Sequence, residues 1–66
     1  MQIYVNGESK TLEGEITLSA LLEQLDMDGK RIAIELNGEI VPRSAHTTQK
    51  IASDDRVEIV HAIGGG

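Results

Sequence analysis

Cysteine is absent from this chain, phenylalanine and tryptophan are absent too, and proline and tyrosine each occur once, as Pro42 and Tyr4. Without cysteine there is no disulfide, no zinc–thiolate centre and no iron–sulfur site. A cysteine-free small domain suits a reducing cytoplasm. Long apolar runs are missing as well: nothing approaches the roughly 18 consecutive apolar residues that cross a bilayer. The opening Met-Gln-Ile-Tyr-Val-Asn-Gly lacks the charged-then-apolar pattern of a secretory leader. Basic residues are scarce, with 6 Lys and Arg against 11 Asp and Glu and a formal net charge of −5. That balance disfavours nucleic acid and anionic membrane as partners, because both demand positive charge. The acidity serves either solubility or steering toward a basic partner surface.

What is present is a short aliphatic chain. At 66 residues there is room for one hydrophobic core, and a domain of this size buries only about 60% of the surface of its unfolded chain. The apolar 39% is mostly Ile, Leu and Val. A catalytic cleft furnished with buried polar groups is hard to fit into such a core.

The apolar positions then set the elements. Ile3 and Val5 alternate with Gln2, Tyr4 and Asn6, a strand pattern. Asn6-Gly7 signals a tight type I′ hairpin, whose two central residues take positive φ, and Glu8 to Leu12 returns as a second strand. After the loop Glu13-Gly14-Glu15, Leu18, Leu21, Leu22 and Leu25 fall at i, i+3, i+4 and i+7, one face of a helix. Thr17 is its N-cap, Ile16 and Leu21 stand where a hydrophobic staple forms, and Gly29 is the expected left-handed C′ residue. Ile32, Ile34 and Leu36 alternate as a third strand. Asn37-Gly38 is a second tight turn, and Glu39 to Val41 is a short return strand that Pro42 ends or confines to an edge. Arg43 to Lys50 is polar and irregular with at most one helical turn. Ser53-Asp54-Asp55 turns the chain into a last strand, Arg56 to Ile63, with Val57 and Ile59 on one face and Glu58 and Val60 on the other. A helix with a single apolar stripe must bury it against the sheet. The expected architecture is therefore a two-layer α+β domain of one main helix on a mixed four- to five-stranded sheet over residues 1–63, followed by a flexible glycine tail, 64–66.

The ending Ile63-Gly64-Gly65-Gly66 is poor structural material, with no side chains to bury and maximal backbone entropy. It is suited to threading a narrow channel, because no Cβ meets an enclosing wall, and it presents a carboxylate on a thin tether. A frayed terminus has the same composition.

Taken together, the chain resembles the ThiS family, the sulfur carriers of thiamine thiazole synthesis. The resemblance rests on the opening Met1 to Gly7, on Thr17-Leu18-Ser19-Ala20-Leu21-Leu22, and on Asn37-Gly38-Glu39-Ile40-Val41-Pro42-Arg43. It extends over Asp55-Arg56-Val57-Glu58-Ile59-Val60 and Ile63-Gly64-Gly65-Gly66. It implies the ubiquitin-like β-grasp fold, with first and last strands parallel and adjacent. It also implies a cycle in which a ThiF-like adenylating enzyme spends ATP on the carboxylate of Gly66, the covalent site. Sulfur derived from a cysteine desulfurase then replaces AMP, and a ThiG-like thiazole synthase receives sulfur from the resulting thiocarboxylate. Gly65 completes the family's diglycine and Gly64 lengthens the tether. A carrier of this kind binds no cofactor, is a cosubstrate and not an enzyme, and works in the cytoplasm. The chain has no thiol on which to hold sulfur itself, and the resemblance implies that the terminal carboxyl holds it. Asp54 stands where such chains often have glycine in the turn before the last strand, and Asp tolerates left-handed φ better than most residues. Two rivals share the tail chemistry: a small subunit of molybdopterin synthase, and a ubiquitin-like modifier that joins lysines. A plain β-grasp interaction module without tail chemistry is a third.

Other chemistry is thin. His46 and His61 are too far apart for a local metal motif and read as ordinary surface or strand residues, so no metal is expected. Ser9, Ser19, Ser44 and Ser53 sit in turn, cap or edge contexts, and Glu13 and Glu15 flank a solvated loop. Tyr4 and Val60 fall on the sheet face opposite the helix, where apolar side chains either mark a partner surface or are ordinary exposed residues. Arg43 either pairs with a partner's carboxylates or simply ends an edge strand.

Overall fold

The computed structural model describes residues 1–27 and 31–61. In chain order the elements are β1 (Gln2–Val5), β2 (Glu8–Thr11), α1 (Leu18–Gln24), β3 (Ile32–Leu36), β4 (Glu39–Val41), a 3₁₀ turn (Arg43–Ala45) and β5 (Arg56–His61). The strands form one sheet in the order β2-β1-β5-β3-β4. β5 lies parallel to β1, through Tyr4↔Arg56 and Val5↔Val57, and antiparallel to β3, from Leu36↔Val57 to Ile32↔His61. This is the mixed sheet of a β-grasp domain, with the last strand at its centre.

The two hairpins form where the Asn-Gly pairs place them. Asn6 and Gly7 have φ of 51° and 85°, and Asn37 and Gly38 have 53° and 87°, the positive pair that a type I′ turn requires. Alternation sorts the faces as expected. Ile3, Ile34, Val57 and Ile59 point to the helix and are buried, joined by Leu12, Leu18, Leu21, Leu22 and Ile51. Each such aliphatic side chain contributes about 1.5–3 kcal/mol relative to exposure, which is how a core without large aromatics holds a domain this small.

Three leading N–H groups of α1, which no helix can satisfy from within, have partners outside the helical ladder. Leu18 donates to the Gln49 carbonyl at 2.9 Å and Ser19 to His46 at 2.9 Å, while Ala20 donates to Thr17 Oγ1 at 3.1 Å; the first helical bond is that of Leu21 to the Thr17 carbonyl at 3.0 Å. The irregular segment after β4 is thus the seat of the helix. His46, expected at the surface or in a strand, is instead buried at 6% exposure. Its Nε2 lies 3.1 Å from the Val41 carbonyl, which ties that segment to β4.

The helix stops earlier than expected. Asp26 adopts φ 59°, its N–H donates to the Glu23 carbonyl at 3.1 Å, and the Met27 N–H donates to Leu22 at 2.8 Å. These bonds are the two that define a Schellman motif, with Asp26 as C′ and Met27 as C″. Met27 and Leu22 both belong to the apolar cluster, so packing at C″ selects the stop even though no glycine is there. Gly29 itself lies outside the described residues. The turn before β5 survives its missing glycine: Asp54 takes φ 69° and donates its N–H to the Gln2 carbonyl at 2.7 Å.

Candidate functional site

Ala62, Ile63 and the tail residues Gly64, Gly65 and Gly66 lie outside the described residues, so the structure speaks to the root of the tail. That root is β5, the central strand of the sheet. Its start is held by Asn37, whose Oδ1 accepts the Arg56 N–H at 2.9 Å and whose Nδ2 donates to Asp55 Oδ1 at 3.0 Å. Its middle is buried on the helix side through Val57 and Ile59. Toward its end, Asn6 donates Nδ2 to the Ile59 carbonyl at 3.3 Å and accepts the Ile59 N–H on Oδ1 at 2.7 Å. Val60 and His61 pair with Ala33 and Ile32 of β3. The chain therefore arrives at residue 61 from a fixed direction.

The face of the sheet away from the helix is open. Register places Tyr4 and Ser9 beside Arg56, Glu35 and Ile40 beside Glu58, and Ala33 beside Val60. Tyr4 is half-buried, with the Arg56 guanidinium 5.7 Å from its ring centroid, a cation–π distance. An open depression of ≈ 290 Å³ lies beside this pair, lined also by Gly7 and Glu58. Val60 is 55% exposed and Ile40 73%.

Tyr4 and Val60 thus share a face, as their alternation required, but they stand at opposite ends of it. Tyr4 is level with Arg56, four positions before Val60 on β5, or about 13 Å at strand rise. Arg43 is exposed in the turn beyond the β4 edge, and the sheet order puts β5 and β3 between β4 and Tyr4. The structure does not gather these three into one patch. Ile40 is the residue that sequence reasoning missed. A strand of three residues carries too little alternation to orient it, and only the pairing Glu35↔Ile40 shows where it points.

Among the described residues no group of three His, Cys, Asp or Glu could hold a metal ion, and no helix is long and apolar enough to cross a membrane. His61 lies exposed in β5 and His46 serves the helix seat. The Lys50–Glu15 ion pair, 3.5 Å apart and exposed on both sides, is of a kind that contributes little.

Comparison with known proteins is consistent along the whole chain. Residues 3–66 match the sequence profile of the ThiS family. The chain is 32% identical to the sulfur carrier protein ThiS of Escherichia coli over 66 residues, covering 100% of both. It is 39% identical over 66 residues to a thiazole synthase of Paramagnetospirillum magneticum, and there it spans only 20% of the relative's length. The crystal structure of a thiamine biosynthesis protein (ThiS) from Geobacter metallireducens superposes with a TM-score of 0.88 at 32% identity, covering 100% of both chains.

Proposed function

The chain belongs to the ThiS family, and from that premise we propose that it is a sulfur carrier protein of thiamine biosynthesis, with the carboxylate of Gly66 as the group that is loaded. The observation that supports this reading is the family match from residue 3 to residue 66, together with the similarity to the Escherichia coli sulfur carrier protein over its full length. The protein is a cosubstrate and not an enzyme. It binds no cofactor, and ATP and sulfur reach it through its partners.

A carboxylate is a poor acyl donor, because its charge is delocalised and oxide is a poor leaving group. A ThiF-like enzyme answers this by letting the Gly66 carboxylate attack the α-phosphorus of ATP. Pyrophosphate leaves and an acyl-adenylate remains, with AMP as a good leaving group. The outer sulfur of a cysteine desulfurase-derived persulfide displaces AMP to give an acyl disulfide. A second thiol supplied with the partners attacks the inner sulfur, leaving as a disulfide and releasing the thiocarboxylate, which a ThiG-like thiazole synthase consumes. The chain's part in these steps is positioning. Gly64 and Gly65 carry no Cβ to meet the walls of an enclosing active site, and β5 aims them. In this reading the cycle runs in the cytoplasm, where ATP and thiol-borne sulfur are supplied.

The thiazole synthases that contain a similar segment favour thiazole as the product of the delivered sulfur over the molybdopterin alternative. The outer sheet face, with Tyr4, Ile40 and Val60, is the surface on which the partners dock. Arg43, at the β4 edge, contributes at the margin. The test is ATP–pyrophosphate exchange catalysed by the ThiF-like enzyme. Exchange that depends on this chain and is abolished by deleting Gly65 and Gly66 supports the reading. Exchange that persists without them removes it.

A further inference from the structure

The open side of the sheet carries charge as well as apolar surface, and the register sets both in rows. Ser9, Tyr4 and Arg56 form one row. Glu58, Glu35 and Ile40 form the next, and Val60 and Ala33 the third. In the middle row Glu35 and Glu58 stand directly opposite each other on antiparallel strands, where Cβ atoms are about 4.5–5.5 Å apart and like charges oppose pairing. Both residues are exposed, and neither carboxylate has a hydrogen-bond or ion-pair partner among the described residues. Arg56, the cation next along β5 on the same face, does not relieve them, because its guanidinium lies over the Tyr4 ring. Exposed aliphatic side chains flank the two acids. Ile40, 73% exposed, is beside Glu35, and Val60, 55% exposed, is in the neighbouring row.

Two unrelieved carboxylates set among exposed aliphatics oppose the fold, yet they occupy the middle of the face through which the chain docks. We propose that Glu35 and Glu58 together hold one basic side chain of the ThiF-like adenylating enzyme, with Ile40 and Val60 making the apolar contacts around it. This rests on the carrier reading given above and names the chemistry of its docking contact. A guanidinium offers five N–H donors in a planar fork, enough for both carboxylates at once, and its charge cancels the repulsion between them. The aliphatic neighbours exclude water from the docked pair, which strengthens the attraction. The adenylating enzyme has a particular need for such a contact. It must bring a chain of net charge −5, ending in a carboxylate, against a nucleoside triphosphate. A cation on its docking surface offsets the repulsion between these anions and steers the approach.

The test is pyrophosphate exchange by the ThiF-like enzyme with the full chain carrying Glu35→Gln and Glu58→Gln. Glu13→Gln with Glu23→Gln is the control: it makes the same change in net charge at two exposed positions off the sheet, in the loop before α1 and on the helix. At about 0.05 M salt the outer-face variant raises KM about ten-fold with kcat unchanged. At about 0.5 M salt the difference from the parent narrows to about three-fold, because screening weakens the attraction that the parent retains. Its Tm equals or exceeds that of the parent, since a repulsion has been removed. The control keeps KM within about two-fold of the parent at both salt concentrations. An unchanged KM in the outer-face variant, an equal rise in the control, or a fall in Tm of several degrees overturns the inference and leaves the carrier reading standing. No exchange dependent on Gly65 and Gly66 from the unaltered chain overturns the carrier reading and the inference with it.

Discussion

Replacing Thr17 with alanine tests how a helix of seven residues survives in this fold. A segment that short has no stability of its own, so its ends must be satisfied from outside. Two of its leading N–H groups are held by backbone carbonyls of His46 and Gln49, and these remain in the variant. Only the Ala20 N–H loses its acceptor, Thr17 Oγ1. Ala20 is half-buried, so water replaces the bond incompletely, and the expected loss is about 1 kcal/mol. For a chain of this size total stability is on the order of 3–10 kcal/mol, so the loss is appreciable. With an unfolding entropy of about 2.1 cal/mol/K per residue, it lowers Tm by about 7 °C. Thermal and urea unfolding followed by far-ultraviolet circular dichroism measure it, with Thr17→Ser as the control that retains the hydroxyl. Equal losses in the alanine and serine variants, or no loss in the alanine variant, would refute the capping argument.

Ile34→Ala removes a fully buried side chain at the centre of β3 and costs about 2–5 kcal/mol; a urea midpoint close to that of the parent chain would show that the core is not built around it. Asp54→Gly relieves a left-handed residue of its steric cost, about 1–2 kcal/mol, partly offset by the greater backbone entropy of glycine in the unfolded chain. Tm therefore stays level or rises by a few degrees, and a fall of similar size would contradict the turn geometry. The double change Ile40→Thr and Val60→Thr keeps strand propensity and shifts stability by no more than about 0.5 kcal/mol. It raises the KM for the activating enzyme by about ten-fold, the effect of losing a central contact of more than 1 kcal/mol; an unchanged KM moves the docking surface off the outer face.

The elements decided by local chemistry were legible before the structure. Asn-Gly pairs demand their turns, the leucine spacing demands one buried helical face, and Val57 and Ile59 alternate with Glu58 and Val60 as the core requires. What depends on tertiary placement was not. The helix stop at Asp26 follows from Met27 packing at C″, which outweighs the preference for glycine that pointed to Gly29. The burial of His46 comes from the segment after β4 folding under the helix, a contact no periodicity encodes. Strand alternation is silent on sheet order, and the adjacency of β1 and β5 came from family resemblance alone. For the same reason the second task of Asn6 was hidden. In sequence it is a turn residue, and only the parallel neighbour reveals its carboxamide at Ile59. Of the outer-face residues, Tyr4 and Val60 were readable from alternation, and Ile40 needed the register of β4.

The central claim is that sulfur is carried on the terminal carboxyl group of Gly66. The most direct measurement is the intact mass of the protein after incubation with a ThiF-like enzyme, ATP, a persulfide donor and a thiol reductant, followed by peptide mapping. The account predicts a gain equal to the exchange of one oxygen for sulfur. That gain maps to the peptide ending in Gly66, is absent when Gly65 and Gly66 are deleted, and is lost again on addition of thiazole synthase with its remaining substrates. A folded protein that gains no mass while a control carrier is loaded by the same enzyme would contradict it.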